Sequence, residues 1–221
     1  MAHFPHLYVP RPWPDEEIPL AGQQIHHLVR VLRLAKGESV SYTDGHGTRG
    51  CGSLGEGSIA RQGESTTEPL PEVELAVAPP HERDRVRWLV EKAAELEVTR
   101  VRWLKTHYGN ARPNAMERAQ EWAVSALEQS RGAWLTRVEP GWGTLAELDD
   151  RLPTVMADPT GVPPREVPPL RVLIGPEGGW DRMEAASGWP LVNLGRNIFR
   201  TETAAVVAAA LYRTISEMNQ R

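Results

Sequence analysis

From residue 71 onward the chain alternates short apolar runs with amphipathic stretches of helical length, which restricts this part to a largely parallel sheet with helices on both faces. The run VELAVA reads as a strand, and DRVRWLVEKAAELEV places Val86, Leu89, Val90, Ala93 and Leu96 on one helical face. VTRVRWL returns as a strand. A long helix is expected across PNAMERAQEWAVSALEQS with Pro113 in its first turn, followed by strand candidates TVMAD, RVLIG and LVNLG. The last segment, TETAAVVAAALYRTISEMN, reads as a helix started by Thr201 or Thr203 and lined with small apolar residues.

The first 70 residues have a different rhythm. QIHHLVRVLRL reads as a short helix, ESVSYTDG as an alternating strand ending in a turn, and the glycine-punctuated residues after it as further short strands. The polar, Pro-bearing stretch ARQGESTTEPLPEV, residues 60–73, reads as a linker, so a small β-rich domain over 1–70 and an α/β domain over 71–221 are expected.

Charge and cysteine content narrow the function. The net charge of −4 is a poor match for phosphate binding, but its distribution is uneven: residues 1–80 hold 6 basic and 10 acidic side chains, 81–137 hold 11 and 8, and 138–221 hold 8 and 11. Arginine supplies 22 of the 25 cations, and its flat fork suits phosphates and base edges. A single cysteine, Cys51, excludes an intramolecular disulfide framework and fits a reducing compartment. No stretch approaches the roughly 18 apolar residues of a membrane span, and no cluster has metal-ligand spacing. A cytoplasmic protein without a metal or a membrane partner is expected.

The strand RVLIG runs directly into PEGGW. In open parallel sheets ligands sit beyond the carboxyl ends of strands, and glycine removes the Cβ that would block close approach. The loop is neither G-x-x-x-x-G-K-[ST] nor G-x-G-x-x-G, so a phosphate loop and a dinucleotide fingerprint are both excluded. A second glycine-bearing strand end, NLGRNIFRTETA, also runs into a helix, and the two loops can converge on one ligand.

LIGPEGGW followed by LGRNIFRTETAAVVAAAL resembles the signature of the ribosomal RNA small subunit methyltransferase E family, in the SPOUT superfamily. HHLVRVLRLAKGESVSYTDGHG, LVEKAAELEV and SALEQSRG are similar to further segments of that family. The resemblance implies a small N-terminal PUA-like β-barrel that binds RNA, then a SPOUT α/β domain with a C-terminal deep trefoil knot. It implies a homodimer using S-adenosylmethionine to methylate N3 of a uridine in 16S ribosomal RNA. The cofactor would lie against Gly175, Pro176, Glu177, Gly178, Leu194, Gly195, Asn197, Ile198, Phe199 and Arg200.

Uridine N3 carries a proton, so its methylation calls for a base and for a cation near the flanking carbonyl oxygens. Arg200 can hold those oxygens or a phosphate, and Glu202 or Glu177 can take the proton. Glu202 can equally complement a helix dipole, and Glu177 can cap a turn. Arg30 and Arg33, three apart on a helix whose Leu28, Val29 and Leu32 can face the barrel, are candidates for contact with 16S rRNA or the small subunit; Arg131 at a helix end is another. His6 stands where the family has arginine, Glu97 stands where it has glycine, so that helix must close differently, and EQSRGAW ends unusually. A non-catalytic rRNA-binding protein, or a methyltransferase acting on another nucleotide, fits the same residues less well.

Overall fold

In the N-terminal part of a computed structural model, which describes residues 4–14, 16–110 and 116–219, short strands alternate buried and exposed side chains around one apolar cluster. The strands are β1 (His6–Tyr8), β2 (Glu17–Pro19), β3 (Ser39–Thr43), β4 (Thr48–Leu54) and β5 (Ser58–Thr66), in the spatial order β1-β3-β4-β5-β2. β1 pairs with β3 in parallel and the other pairs are antiparallel, giving a mixed sheet. Trp13 meets Tyr42 edge to face at 5.1 Å, and Ile18, Leu28, Val40 and Ile59 complete the centre. The compact unit is Met1–Pro69 together with Leu127–Leu135, so the residues around EQSRG, read from sequence as part of the second domain, belong to the first.

Two expectations need correction here. Residues 60–66 are not linker: they extend β5, paired as far as Thr48↔Thr66. Both faces of that outer half are exposed, so its composition is that of a loop. Secondly, the helix α1 (Gly22–His26) continues as one π-helical turn, His27–Val31, and stops there. Only Leu28 is buried, while Val29 and Leu32 are 41% and 43% exposed; Arg33 lies past the helix end at φ 57. His6, which stands where the family has arginine, is buried and bonded through Nδ1 to Ser41 Oγ at 2.8 Å.

The second unit, Leu70–Ala126 with Thr136–Arg221, carries the alternation read from sequence. Its strands are β6 (Val73–Val77), β7 (Arg100–Leu104), β8 (Arg137–Gly143), β9 (Thr154–Val162), β10 (Leu170–Ile174) and β11 (Leu191–Val192). They form one all-parallel sheet in the order β11-β9-β10-β6-β7-β8. The helices are α2 (Arg83–Glu95), α3 (Ala119–Ser130), α4 (Arg182–Ala185) and α5 (Thr201–Asn219). Pro113 lies outside the described residues. Every side chain of β6 and β10 is buried, as expected for central strands of a parallel sheet. β8 went unread because Pro140 and Gly141 interrupt it, which an edge position tolerates.

Glu97 occupies a left-handed conformation, φ 53, directly after α2. Val98 N–H donates to Ala93 O at 2.9 Å and Glu97 N–H to Ala94 O at 3.0 Å, the bonding pattern that glycine ordinarily completes. The helix therefore closes in the usual way with a strained residue, rather than differently. Arg131 at φ 57 ends α3 in the same fashion, with Gly132 N–H donating to Leu127 O. The buried Arg213 of α5 supports the α2 end by donating to the carbonyls of Leu96, Glu97 and Pro71.

At the amino ends of the strands Glu74 is fully buried among four guanidiniums: Arg171 at 2.5 Å, Arg151 at 3.0 Å, Arg102 at 3.1 Å and Arg100 at 3.4 Å. Asp149 pairs with Arg171 and Arg102, Glu139 with Arg100 and Arg137. Arg100 and Arg102 of the net-positive middle segment are thus held in ion pairs within the fold.

Candidate functional site

At the opposite, carboxyl edge of this sheet the chain leaves β10 through Gly175–Trp180, leaves β11 through Asn193–Phe199, and enters α5. These segments, with Ala157–Pro159 of β9, line a cleft with about 670 Å³ of empty space, part of it open to solvent. Two hydrogen bonds fix its walls. Thr201 Oγ1 donates to Gly175 O at 2.9 Å, joining the start of α5 to the end of β10, and Trp180 Nε1 donates to Ala157 O at 3.0 Å. Asn193 shapes the next loop by accepting from Gly195 N–H at 2.9 Å.

Of the ten residues expected to touch a cofactor, Gly175, Pro176, Glu177, Leu194, Gly195, Asn197, Ile198 and Phe199 line this cleft; Gly178 and Arg200 stand outside its lining. Trp180, Asn193, Thr201 and Ala204 line it without having been singled out. The glycines clear aromatic rings. A Cβ on Gly175 would sit 3.0 Å from the Trp180 indole, on Gly178 2.9 Å from Tyr108 Cβ, and on Gly195 2.6 Å from the Phe199 ring. A close approach of strand to strand falls elsewhere, at Gly161, whose Cβ would stand 2.5 Å from Leu191 C. Glycine is thus required because flat side chains fold back onto the loops, leaving apolar rings and main-chain amides to face the cleft.

The charged groups gather at the rim. Glu202, in the first turn of α5, is 7% exposed, and its Oε2 is buried without a hydrogen-bond partner. Its Oε1 is 3.8 Å from Arg85 Nε; Arg85 Nη1 is 3.8 Å from Glu177 Oε1, and Arg85 Nε is 3.3 Å from Glu82. Arg85 was missed, because its place in the first turn of α2 reads from sequence as solvated surface. Arg200 is exposed; its carbonyl accepts from Ala204 N–H at 2.8 Å, and among the described residues its side chain has no ion-pair or hydrogen-bond partner.

The candidate RNA contacts lie in the N-terminal unit. Arg30 and Arg33 are exposed. Arg131 donates to Phe4 O at 2.6 Å and stacks over the Phe4 ring at 5.2 Å, so it anchors the N-terminal strand region. Burial lowers the His6 pKa; its bond to the Gly132 carbonyl opposes that, and the nearby Arg131 and Arg49 reinforce it. Among the described residues no group of His, Cys, Asp and Glu could hold a metal ion, and no helix is long and apolar enough to cross a membrane.

The all-parallel sheet thus carries a glycine-cleared cleft at its carboxyl edge, beside a buried carboxylate with one oxygen free of hydrogen bonds. The class is given by two family models: an RNA methyltransferase domain matches residues 66–213, and an RNA methyltransferase PUA domain matches residues 20–50. A ribosomal RNA small subunit methyltransferase E from Synechocystis sp. is 32% identical over 233 residues, covering 92% of this chain and 75% of the relative. The chain belongs to the ribosomal RNA small subunit methyltransferase E family. The Neisseria gonorrhoeae member, solved bound to S-adenosyl methionine, superposes with a TM-score of 0.84 at 25% identity, over 96% of this chain and 98% of that one. A probable rRNA-methyltransferase from Porphyromonas gingivalis gives a TM-score of 0.81 at 25% identity, over 98% and 100%.

Proposed function

We propose that this chain methylates N3 of a uridine in 16S ribosomal RNA of the small subunit, using S-adenosylmethionine, with Glu202 as the proton acceptor and Arg200 as the cation that holds the base. The observation that carries the reading is Glu202: a nearly buried carboxylate with one oxygen unpaired, one residue along from the cleft-lining Thr201. An unsatisfied buried acceptor is costly and calls for an explanation, and a donor that arrives during function supplies one beside this cleft.

The cleft fits the cofactor in kind. Leu194, Ile198 and Phe199 offer apolar surface to an adenine ring, and the loops around Gly175 and Gly195 offer main-chain groups to its polar edges. When bound, S-adenosylmethionine supplies an electrophilic methyl group whose bond to sulfur breaks with its electron pair left on sulfur. Glu202 takes the proton from N3, freeing the nitrogen lone pair that forms the new C–N bond. Arg200 faces the carbonyl oxygens that carry the developing negative charge. Glu202 then returns its proton to water.

The further features of the reading are that Arg30 and Arg33 of the PUA-like unit contact the rRNA, that the 71–221 domain carries a deep trefoil knot, and that the protein works as a cytoplasmic homodimer. Glu202→Gln keeps the shape and removes the base. It is expected to lower the rate of methyl transfer to small subunits about a hundredfold, with S-adenosylmethionine binding unchanged by calorimetry. Full activity of Glu202→Gln would remove Glu202 from the mechanism.

A further inference from the structure

Glu202 and Glu177 approach one another from two different elements, the first turn of α5 and the loop after β10, and like charges brought together in this way repel unless a cation intervenes. That cation is Arg85. Its guanidinium is 3.8 Å from Glu202 Oε1, 3.8 Å from Glu177 Oε1 and 3.3 Å from Glu82, so one side chain from α2 links three carboxylates. At 3.8 Å the attraction to Glu202 is one of charge rather than a hydrogen bond. It draws on Oε1 and leaves Oε2, the buried unpaired oxygen, uncommitted. An ordinary surface ion pair would have exposed partners on both sides and little consequence. Here the partner is 7% exposed and stands beside the cofactor cleft.

We propose that Arg85 is a positioning residue for methyl transfer: it fixes the Glu202 carboxylate through one oxygen so that the other meets the target base. The inference rests on Glu202 being the proton acceptor. Arg85 touches neither cofactor nor base in this role. It acts through Glu202, and its effect should vanish when Glu202 can no longer act.

The test is a double-mutant cycle of Arg85→Met and Glu202→Gln, with Arg85→Lys as the conservative variant, on small ribosomal subunits lacking the modification. Arg85→Met is expected to lower kcat roughly thirtyfold, as a misplaced catalytic group does, with KM for the subunit and the S-adenosylmethionine Kd changed less than about twofold. Arg85→Lys restores part of the rate, because an ammonium supplies the charge without the fork. In the Glu202→Gln background Arg85→Met is expected to cost nothing further. A second readout needs no turnover: in unliganded protein 13C-labelled at glutamate carboxyls, the Glu202 signal, identified by its loss in Glu202→Gln, moves in Arg85→Met. Losses that multiply in the double mutant, an unmoved Glu202 signal, or weakened cofactor binding by Arg85→Met would overturn the proposal. Wild-type protein that transfers no methyl group would instead refute the functional reading on which it rests.

Discussion

Replacing Glu74 by glutamine removes a single charge at the most crowded electrostatic position in the fold. Glu74 is 0% and Arg171 1% exposed, and their Nε–Oε1 contact is 2.5 Å. Removing one partner of a buried pair leaves the other uncompensated and costs about 3–5 kcal/mol. Arg171 keeps Asp149 at 2.7 Å, and the carbonyl of the introduced glutamine still accepts one hydrogen bond, which places Glu74→Gln at the lower end, about 3 kcal/mol. For a chain of this length that corresponds to a fall in Tm of roughly 6–12 °C. Urea unfolding followed by circular dichroism measures the loss as a lower midpoint at unchanged slope. Because Glu74 sits at the amino end of the sheet and the cleft at the carboxyl end, cofactor binding by the folded variant should be unaffected. A loss below about 1 kcal/mol, the range of exposed ion pairs, would refute the claim that this network holds the sheet together.

Gly195→Ala puts a methyl group 2.6 Å from the Phe199 ring, so the ring must leave the cleft wall; S-adenosylmethionine binding measured by calorimetry should weaken by about fivefold or more, matching an overpacking cost of about 1–3 kcal/mol. Glu97→Gly relieves a left-handed residue at φ 53 and should stabilise the protein by up to about 1 kcal/mol in urea unfolding, the relief partly offset by glycine's unfolded-state entropy. His6 has its pKa lowered from 6.5 by burial, so the unfolded chain binds a proton that the folded chain resists. Its contribution is intact above pH 6.5 and lost as pH falls through the lower folded pKa, so stability measured from pH 7 to 5 should fall less steeply in His6→Asn.

Much of the second unit was legible because its signals are local. β6, β7, β10, α2 and α5 each carry an apolar pattern of the right period, and the loop after β10 announces itself by glycine. β8 was hidden by Pro140 and Gly141, whose position at a sheet edge no local window reveals. The outer half of β5 was hidden because both its faces meet solvent, so a strand carried a linker's composition. Arg33 and Arg131 both looked like helical residues, and their left-handed conformations follow from helix ends that lack glycine at the usual place.

The candidate site divides in the same way. Main-chain loops that line the cleft were visible in LIGPEGGW and LGRNIF, because glycine is conspicuous. What the glycines make room for was not, since Trp180, Tyr108 and Phe199 meet them only after the loops fold. Arg85 is separated from Glu177 and Glu202 by about a hundred residues of sequence, and only the parallel sheet, which sets α2 and α5 side by side, brings the three together.

The most direct measurement is to incubate the purified protein with S-adenosylmethionine and small ribosomal subunits lacking the modification, digest the 16S rRNA, and map methylated nucleosides by mass spectrometry. N3-methyluridine at one position, formed about a hundredfold more slowly when Glu202→Gln replaces the wild type, is the expected result. Methylation at another atom or nucleotide, or none despite bound cofactor, would contradict it.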